Sequence, residues 1–500
     1  MSDFESFKAI QKKQKAYQLV LGIASWDSNT EAPKACFPYR SEMLSIVSGE
    51  YFSMQTGDEY KKVVNALYEN MDDLNDIQQK EIRKAKKDLD KIDKIPKKDF
   101  VEYSKLVNMS QREWEEAKEN SDFNHFKPYL EKIIKFKKKI AKYRNPDEHP
   151  YNVLLDDFEE DMTIEKYDEF FKTVKEELVP FVKKILAVKD DEMPSFITAK
   201  YPKDKQKEFV EYLMGVFGFD YDKGLLKESV HPFTWNTHSK DVRFTVRYLE
   251  NYVFSSIFAA IHELGHALYE QQIDDMFDMT NLKSGASMGI HESQSRFYEN
   301  MIGRSRMFWE AHYPKLQSMF SPQLKNVSLD DFYKGINRVD ETFIRVEADE
   351  LTYPLHILIR YEIERMIFED EVEVDDLPAL WNKKMKQYLN LEVEDDAQGI
   401  LQDVHWSAGM MGYFPTYALG SAYSAQIYYA MREQLDFDKL VKDNDIEAIN
   451  KWLQQNIHCF GKSMTPKEIL KRVTGEPFNP KHYIRYLKEK YSELYLNGKE

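Results

Sequence analysis

Apolar residues recur three and four positions apart through most of this chain, a spacing that predicts α-helices. Lysine and glutamate fill the remaining positions, and glycine and proline are sparse between the helical segments. The predicted helices cover residues 4–21, 60–89, 130–143, 164–188, 203–217, 324–339 and 354–368. The pattern therefore predicts a mainly α-helical protein.

One segment, residues 241–248, alternates between apolar and polar side chains and is predicted to form a β-strand. Its apolar positions are Val242, Phe244, Val246 and Tyr248. Two interpretations are open for this strand. As an edge strand it would pair with an extended peptide and turn Arg243 toward a cleft. As part of a half-buried hairpin it would turn its arginines toward water.

Composition narrows the class of protein. The 500 residues contain no linker rich in glycine, serine or proline and no repeat, so we expect a single domain with lobes over 1–500. A formal net charge of −16 argues against a nucleic-acid partner, because phosphate binding needs concentrated positive charge. Cys36 and Cys459 are too few for a disulfide framework and are expected to be reduced thiols.

No segment of the chain predicts membrane association. Residues 1–15 are highly charged, unlike the apolar core of a signal peptide. No stretch approaches the roughly 18 uninterrupted apolar residues of a membrane span. We therefore expect a cytoplasmic enzyme.

The sequence HELGH, from His262 to His266, has the HExxH spacing of zinc hydrolases. Residues four apart on a helix lie one turn above each other, so both imidazoles can bind one metal ion. Glu263, next to the first ligand, would then act as the general base that takes a proton from the attacking water.

The surrounding sequence supports a helix at this motif. Apolar residues at helical spacing over residues 253–268 would bury one of its sides. Gly265 costs about 1 kcal/mol in a helix interior, which indicates close packing or space kept free near the metal. The motif is short enough to arise by chance, so a non-catalytic helical protein is the competing interpretation.

A catalytic zinc site needs a third protein ligand downstream. Glu292 and its neighbour His291 both lie in the segment 287–296. Glu292 is preferred, since two histidines and a glutamate form a known zinc peptidase ligand set. His291 remains the rival, and the alternative is that both residues lie on the surface or cap the N-terminus of a helix.

The run HELGH followed by GIHESQSR resembles the carboxypeptidase Taq family of metallocarboxypeptidases. Further motifs of that family match in chain order: HPF at 231–233, DxRxT at 241–245, IRxxAD at 344–349 and GxxQDxHW at 399–406. Two more segments resemble that family: the N-terminal residues Ser25, Trp26, Asp27, Thr30, Pro33 and Arg40, and the later segment 154–159. The resemblance spans nearly the whole chain, and no metal-ligand or general-base position departs from it.

The resemblance implies a mainly α zincin-type metallopeptidase fold, with a deep groove between two helical lobes and a small β-hairpin or sheet near the active site. We expect a helical lobe over 1–225, a metal- and substrate-binding core over 226–430 and C-terminal helices over 431–500. The implied cofactor is Zn²⁺, with Co²⁺ as a possible substitute, and the implied assembly is a homodimer.

The implied reaction is hydrolysis of the C-terminal peptide bond of peptides with a free C-terminus, releasing single amino acids with broad specificity. An alternative is a helical zinc oligopeptidase that cuts internal bonds with the same metal centre. A requirement for a free C-terminal carboxylate separates the two activities.

A carboxypeptidase must bind the terminal carboxylate of its substrate, and the fork of an arginine suits that task. Arg345 is the first candidate, because it lies in the IRxxAD match within an apolar run. Arg243 is the second candidate. The competing interpretation for Arg345 is a helical ion pair with Asp349, four residues on.

The oxyanion that forms when water adds to the peptide carbonyl needs hydrogen-bond donors. By resemblance to helical zincins, His405 and a nearby tyrosine fill this role. Tyr417 is preferred over Tyr413, although tyrosines are abundant in this chain and more often serve packing.

Overall fold

The computed structural model describes residues 2–190 and 192–496, and helices dominate this part of the chain. The first nine helices are α1 Asp3–Thr30, α2 Phe37–Thr56, α3 Asp58–Glu69, α4 Asp76–Asp93, α5 Lys97–Asn120, α6 Phe123–Arg144, α7 Pro150–Leu155, α8 Ile164–Leu186 and α9 Lys203–Phe217. Three short strands follow, β1 Gly224–Glu228, β2 Thr234–His238 and β3 Asp241–Val246.

The remaining helices follow the strands. They are α10 Val253–Gln271, α11 Met288–Arg296, α12 Arg306–Met319, α13 Ser321–Leu324, α14 Leu329–Ile336, α15 Tyr353–Phe368, α16 Leu377–Leu389, α17 Pro415–Arg432, α18 Phe437–Lys442, α19 Ile446–Asn456, α20 Pro466–Thr474 and α21 Lys481–Leu496. Helix α11 continues directly into a π-helical turn, Phe297–Gly303. The predicted mainly helical class, with a small sheet, is confirmed.

Most predicted helices lie within observed ones, and the segment 203–217 coincides with α9. The predicted helix 60–89 is interrupted, because the Asn75 side chain caps a new helix, α4. In the segment 324–339 the observed helix, α14, begins later than predicted for the same reason, because Ser328 caps it. Both errors come from capping residues inside a continuous apolar pattern.

The three strands form one mixed sheet in the order β1-β3-β2, with β1 parallel and β2 antiparallel to β3. The interpretation of residues 241–248 as an edge strand is therefore wrong, because strands flank β3 on both sides. Val242, Phe244 and Val246 of β3 are fully buried, as the alternation predicts. β2 packs against both β3 and α10, which places the sheet beside the HExxH helix.

Helix α10 is anchored by the apolar face that the sequence predicts. Its buried residues include Val253, Phe254, Ile257, Phe258, Ile261, Leu264 and Leu268. Helix α11 packs between α10 and α17. A Cβ on Gly265 would lie 2.7 Å from the backbone oxygen of Gln294, and one on Gly420 would lie 2.5 Å from Cγ of Glu292. Glycine at these two positions lets both helices approach α11 closely, and the close packing predicted for Gly265 is confirmed.

The main hydrophobic core runs from α5 to α21, and a smaller core joins α1, α3 and α4 around Phe7, Val64 and Ile82. Cys36 and Cys459 are both free thiols. Among the helices of residues 2–190 and 192–496, none combines the length and apolar character that a bilayer crossing requires.

Candidate active site

Two imidazoles and a carboxylate converge between α10 and α11. The Nε2 atoms of His262 and His266 each lie 3.6 Å from Oε2 of Glu292. These distances are longer than a typical hydrogen bond. One ligand atom from each of the three residues lies within 4.8 Å of the others. The spacing and the two-nitrogen, one-oxygen donor set fit a shared divalent metal ion.

The protonation of Glu292 and His266 favours metal binding. Burial raises the pKa of Glu292, but Arg296 and His262 lower it by a larger amount. The resulting pKa lies well below its ordinary range. Burial lowers the pKa of His266 to about 4. At neutral pH the carboxylate is therefore ionised and the His266 imidazole is neutral, the forms in which both residues bind metal.

A second layer of charged residues orients two of the three donor groups. Glu299 Oε2 lies 3.0 Å from Nδ1 of His262, and Arg296 donates from Nε to Glu292 Oε1 at 2.8 Å. Arg304 donates to the other oxygen of Glu299 at 3.2 Å. Sequence reasoning missed all three outer residues. The only available signal was the position of Arg296 at the end of the GIHESQSR run.

Both ring nitrogens of His291, the rival third ligand, already face other groups. Its Nδ1 lies 2.7 Å from Nδ1 of His266, and its Nε2 lies 2.9 Å from Oε1 of Glu270. The structure thus brings Glu292, rather than His291, together with the Nε2 atoms of the two α10 histidines.

Glu263 is buried next to these donors, and its carboxylate is held by the sheet. Thr234, in β2, donates from Oγ1 to Glu263 Oε2 at 2.6 Å. Burial raises the pKa of Glu263, although His262 and Thr234 offset part of the rise. A raised pKa makes the carboxylate a better proton acceptor near neutral pH. Thr234 was also missed by sequence reasoning, and its position directly after the HPF motif was the only signal.

His405, Tyr413 and Tyr417 form one aromatic cluster at the start of α17. The Nε2 atom of His405 lies 3.1 Å from the Tyr417 hydroxyl, and the ring centroids of Tyr413 and Tyr417 are 5.1 Å apart. Burial lowers the pKa of His405 to about 4, so its imidazole is neutral. Burial and the Glu292 charge raise the pKa of Tyr413 to about 12. Burial also raises the pKa of Tyr417 well above its ordinary value. Both hydroxyls therefore keep their protons and can donate hydrogen bonds.

Arg345 joins this cluster through Tyr417, whose ring centre lies 4.9 Å from its guanidinium carbon. Its Nε donates to Asp403 at 3.0 Å and its Nη1 donates to Tyr353 at 3.0 Å. The competing interpretation of Arg345, a helical ion pair with Asp349, is wrong, because Arg345 lies in a short 3₁₀ turn rather than on a helix shared with that residue.

The Asp349 side chain has a different role. It accepts hydrogen bonds from the backbone N–H groups of Leu351 and Thr352 and from the Thr352 hydroxyl. Asp349 therefore shapes the turn that leads into α15, and Asp403 supplies the countercharge of Arg345.

Arg243 lies apart from the aromatic cluster. It forms an ion pair with Asp241 at 2.6 Å, and its guanidinium carbon lies 5.8 Å and 5.6 Å from the rings of Trp26 and Trp235. Its ion-pair and ring contacts all belong to the sheet and α1. The structure therefore brings Arg345, but not Arg243, into contact with Tyr417, the tyrosine beside His405.

Comparison with known proteins agrees with this geometry. A family model described as "Carboxypeptidase Taq (M32) metallopeptidase" matches residues 6–491. "Carboxypeptidase 1" of Bacillus subtilis is 47% identical over 98% of both chains, and "Thermostable carboxypeptidase 1" of Pyrococcus furiosus is 37% identical over 95% of both. The crystal structure of an M32 carboxypeptidase from Deinococcus radiodurans matches with a TM-score of 0.95 and 32% identity, covering 99% of this chain and 100% of the other. The chain therefore belongs to the carboxypeptidase Taq family and is a metallocarboxypeptidase.

Proposed function

We propose that the active site is a zinc centre held by His262, His266 and Glu292, and that cobalt can replace zinc. The convergence of these three donors beside a buried Glu263 is the observation that carries the proposal. Three protein ligands leave a coordination position open, as catalytic zinc sites require. When bound, such an ion polarises the peptide carbonyl and lowers the pKa of the attacking water.

Glu263 is the general base. Its buried carboxylate accepts a proton from the attacking water and then delivers that proton to the leaving amine. Thr234 holds Oε2 of this carboxylate, so Oε1 is the oxygen that remains to exchange the proton.

Tyr417 and His405 stabilise the oxyanion, with Tyr413 as a further donor. If the His405 proton is on Nε2, it is donated to the Tyr417 oxygen, and the Tyr417 hydroxyl proton is then free for the oxyanion. This tautomer also agrees with Nδ1 of His405, which is buried and has no hydrogen-bond partner within the described part of the chain. Preorganised donors of this kind are a large contribution to transition-state stabilisation.

Arg345 binds the terminal carboxylate of the substrate. Of its five N–H groups, Nε–H donates to Asp403 and one Nη1–H donates to Tyr353, while Nη2 lies 2.9 Å from Asp403. Each terminal nitrogen therefore keeps an N–H group for a substrate carboxylate. Arg243 is the weaker candidate, because its contacts lie on the sheet and α1.

Recognition through the terminal carboxylate favours broad specificity, because every peptide with a free C-terminus carries that group. Such peptides are the proposed substrates. The homodimer, the cytoplasmic location and the three-part division of the chain remain predictions.

The direct test is the time course of amino acids released from short peptides, with zinc or cobalt added to metal-free protein. We expect sequential release from the C-terminus, one metal ion per chain and little cleavage of peptides with an amidated C-terminus. Internal cleavage of amidated peptides at a comparable rate would contradict the assignment of the carboxylate site. Full activity without metal would contradict the metal centre.

A further inference from the structure

The two histidines of the HExxH motif are supported in different ways. Nδ1 of His262 lies directly against a carboxylate, that of Glu299, at 3.0 Å. Nδ1 of His266 instead lies 2.7 Å from another imidazole, that of His291. The second imidazole reaches a carboxylate in turn, because its Nε2 lies 2.9 Å from Oε1 of Glu270.

The hydrogen-bonded series His266, His291 and Glu270 has one consistent arrangement of protons when His266 offers the lone pair of Nε2 to a metal ion. The hydrogen of His266 is then on Nδ1 and is donated to His291. Nδ1 of His291 must accept it, so the hydrogen of this imidazole lies on Nε2 and is donated to Glu270. Each group has one role, and exchanging the roles would leave two donors or two acceptors facing each other.

Glu270, the last member of this hydrogen-bonded series, is held in place by three further donors. Its Oε1 accepts from the Gly285 backbone N–H at 2.8 Å and from the Ser284 hydroxyl at 3.3 Å, and its Oε2 accepts from Asn236 at 2.8 Å. The side chain is almost fully buried. Burial raises the pKa of Glu270, but contact with His291 and the Gly285 N–H lower it below its ordinary value. Glu270 is thus an ionised, fixed acceptor.

The site of His291 is built to hold one ring orientation. A Cβ on Gly285 would lie 2.5 Å from Cδ2 of His291 and 2.8 Å from the Tyr269 ring, so only glycine leaves room for the imidazole there. The ring centres of Tyr269 and His291 are 5.1 Å apart. His291 therefore has contacts at both nitrogens and at its edge.

We propose that His291 and Glu270 are positioning residues that fix the tautomer and ring orientation of His266, so that its Nε2 faces the metal ion. The proposal rests on the metal site proposed above. It assigns no ligand or proton-transfer role to His291. It predicts that the support of His266 depends on a hydrogen-bond acceptor at the Nδ1 position of residue 291, and not on ring volume.

The test measures the zinc Kd of the full chain by chelator competition. His291→Leu fills much of the space without an acceptor, whereas His291→Asn supplies an oxygen near the former Nδ1 position. Loss of an outer partner of a metal-bound histidine typically weakens metal affinity 10–100-fold. We therefore expect a 10–100-fold rise in Kd for His291→Leu and recovery of most of that loss in His291→Asn. Glu270→Gln should also raise the Kd, because its amide nitrogen would face donors.

Two controls accompany these variants. His482→Leu removes a histidine of α21 whose ring lies 2.6 Å from Glu476, far along the chain from the ligands, and should keep the parental Kd. His266→Ala tests the metal site itself. If His266→Ala retains zinc, the proposed metal site fails, independently of His291.

Three results would overturn the positioning role while leaving the metal site intact. A parental Kd for His291→Leu would show that His266 needs no support. Equal weakening in the Leu and Asn variants would assign His291 to packing. A loss as complete as that of His266→Ala would make His291 a ligand.

Discussion

Thr234 Oγ1 lies 2.6 Å from Oε2 of Glu263, so the hydroxyl of a β-strand fixes the carboxylate of the HExxH helix. The same hydroxyl lies 3.0 Å from the Glu263 backbone oxygen. A hydroxyl has one proton, which these two acceptors share. The sheet is thereby coupled to the direction in which the general base points.

Thr234→Val keeps the shape of the side chain and removes its hydroxyl. We expect kcat to fall about ten- to a hundredfold, because a hydrogen bond to a charged group contributes roughly 1.5–3 kcal/mol. Metal content should stay unchanged. Thr234→Ser retains the hydroxyl and should recover most of the lost rate. Equal kcat values for the Val and Ser variants in steady-state assays would show that the hydroxyl has no part in orienting Glu263.

Glu263→Gln should bind metal normally and lose nearly all turnover. Glutamine is nearly isosteric with glutamate but cannot accept the proton of the attacking water, and a positioned general base contributes typically 10²–10⁴-fold. Metal analysis and single-turnover kinetics on the same preparation separate the two effects. A metal-loaded Glu263→Gln protein within a few-fold of the parental rate would exclude Glu263 as the base.

Helical spacing alone places His262 and His266 on one face of α10, and the known two-histidine, one-glutamate ligand set singled out Glu292. The sequence could not reveal the contacts made across elements. Thr234 reaches Glu263 from the sheet and Asp403 reaches Arg345 from a distant loop. Such contacts depend on tertiary packing, which leaves no periodic pattern in the chain.

Residues 241–248 show the same limit in the fold. Alternation identified β3 and its buried face, but strand order is set by pairing with β1 and β2, which alternation does not encode. The alternative interpretation of Arg345 was wrong for a similar reason. The i,i+4 spacing to Asp349 suggested a helical ion pair, whereas the backbone there forms a short 3₁₀ turn.

Arg345→Ala should lower kcat/KM about ten- to a hundredfold on peptides with a free C-terminus. The reason is the loss of charge-assisted hydrogen bonds, worth roughly 1.5–3 kcal/mol, to the terminal carboxylate. Amidated peptides already lack that charge and should suffer little further loss. Parallel kinetics on free and amidated forms of one peptide measure the difference.

A folding defect in Arg345→Ala would lower both rates equally, since Asp403 would lose one of its two arginine partners. Equal losses would therefore assign Arg345 to structure. Arg243→Ala serves as the matched variant, and a loss confined to free peptides in that protein would move the carboxylate site to the sheet.

Gly420→Ala should weaken metal binding, although Gly420 is not itself a ligand, because the new methyl group would displace Glu292. The added Cβ would lie 2.5 Å from Cγ of Glu292, so either this side chain or α17 must move. Overpacking of this kind typically costs about 1–3 kcal/mol of stability. The control is Gly49→Ala in α2. Apart from the adjacent backbone of that helix, no atom of residues 2–190 and 192–496 lies within 4 Å of the new Cβ, and helix propensity should stabilise the protein slightly. Zinc Kd and Tm are measured for both variants, and an unchanged Kd in Gly420→Ala would show that Glu292 tolerates the displacement.

Glu159 links the loop after α7 to the first turn of α11, upstream of Glu292. Its two carboxylate oxygens accept from the Gly289 N–H at 2.8 Å and the Ser287 hydroxyl at 3.0 Å. Burial nevertheless raises the pKa of Glu159 to about 7. The folded protein thus holds a proton there at a pH where the unfolded chain has released it.

This raised pKa gives the stability contribution of Glu159 a definite sign. A carboxyl with a raised folded-state pKa stabilises the fold fully below its ordinary pKa, and the contribution is lost as pH rises through about 7. The loss between pH 5 and pH 8 is about 2–3 kcal/mol, at roughly 1.4 kcal/mol per pKa unit. Glu159→Gln cannot titrate, so its free energy of unfolding should fall less over that interval. Other groups, including Glu364 with its similarly raised pKa, titrate in both proteins and cancel in the comparison. Urea unfolding at both pH values measures the difference, and equal pH dependence in the two proteins would show that Glu159 is already ionised in the fold at pH 5.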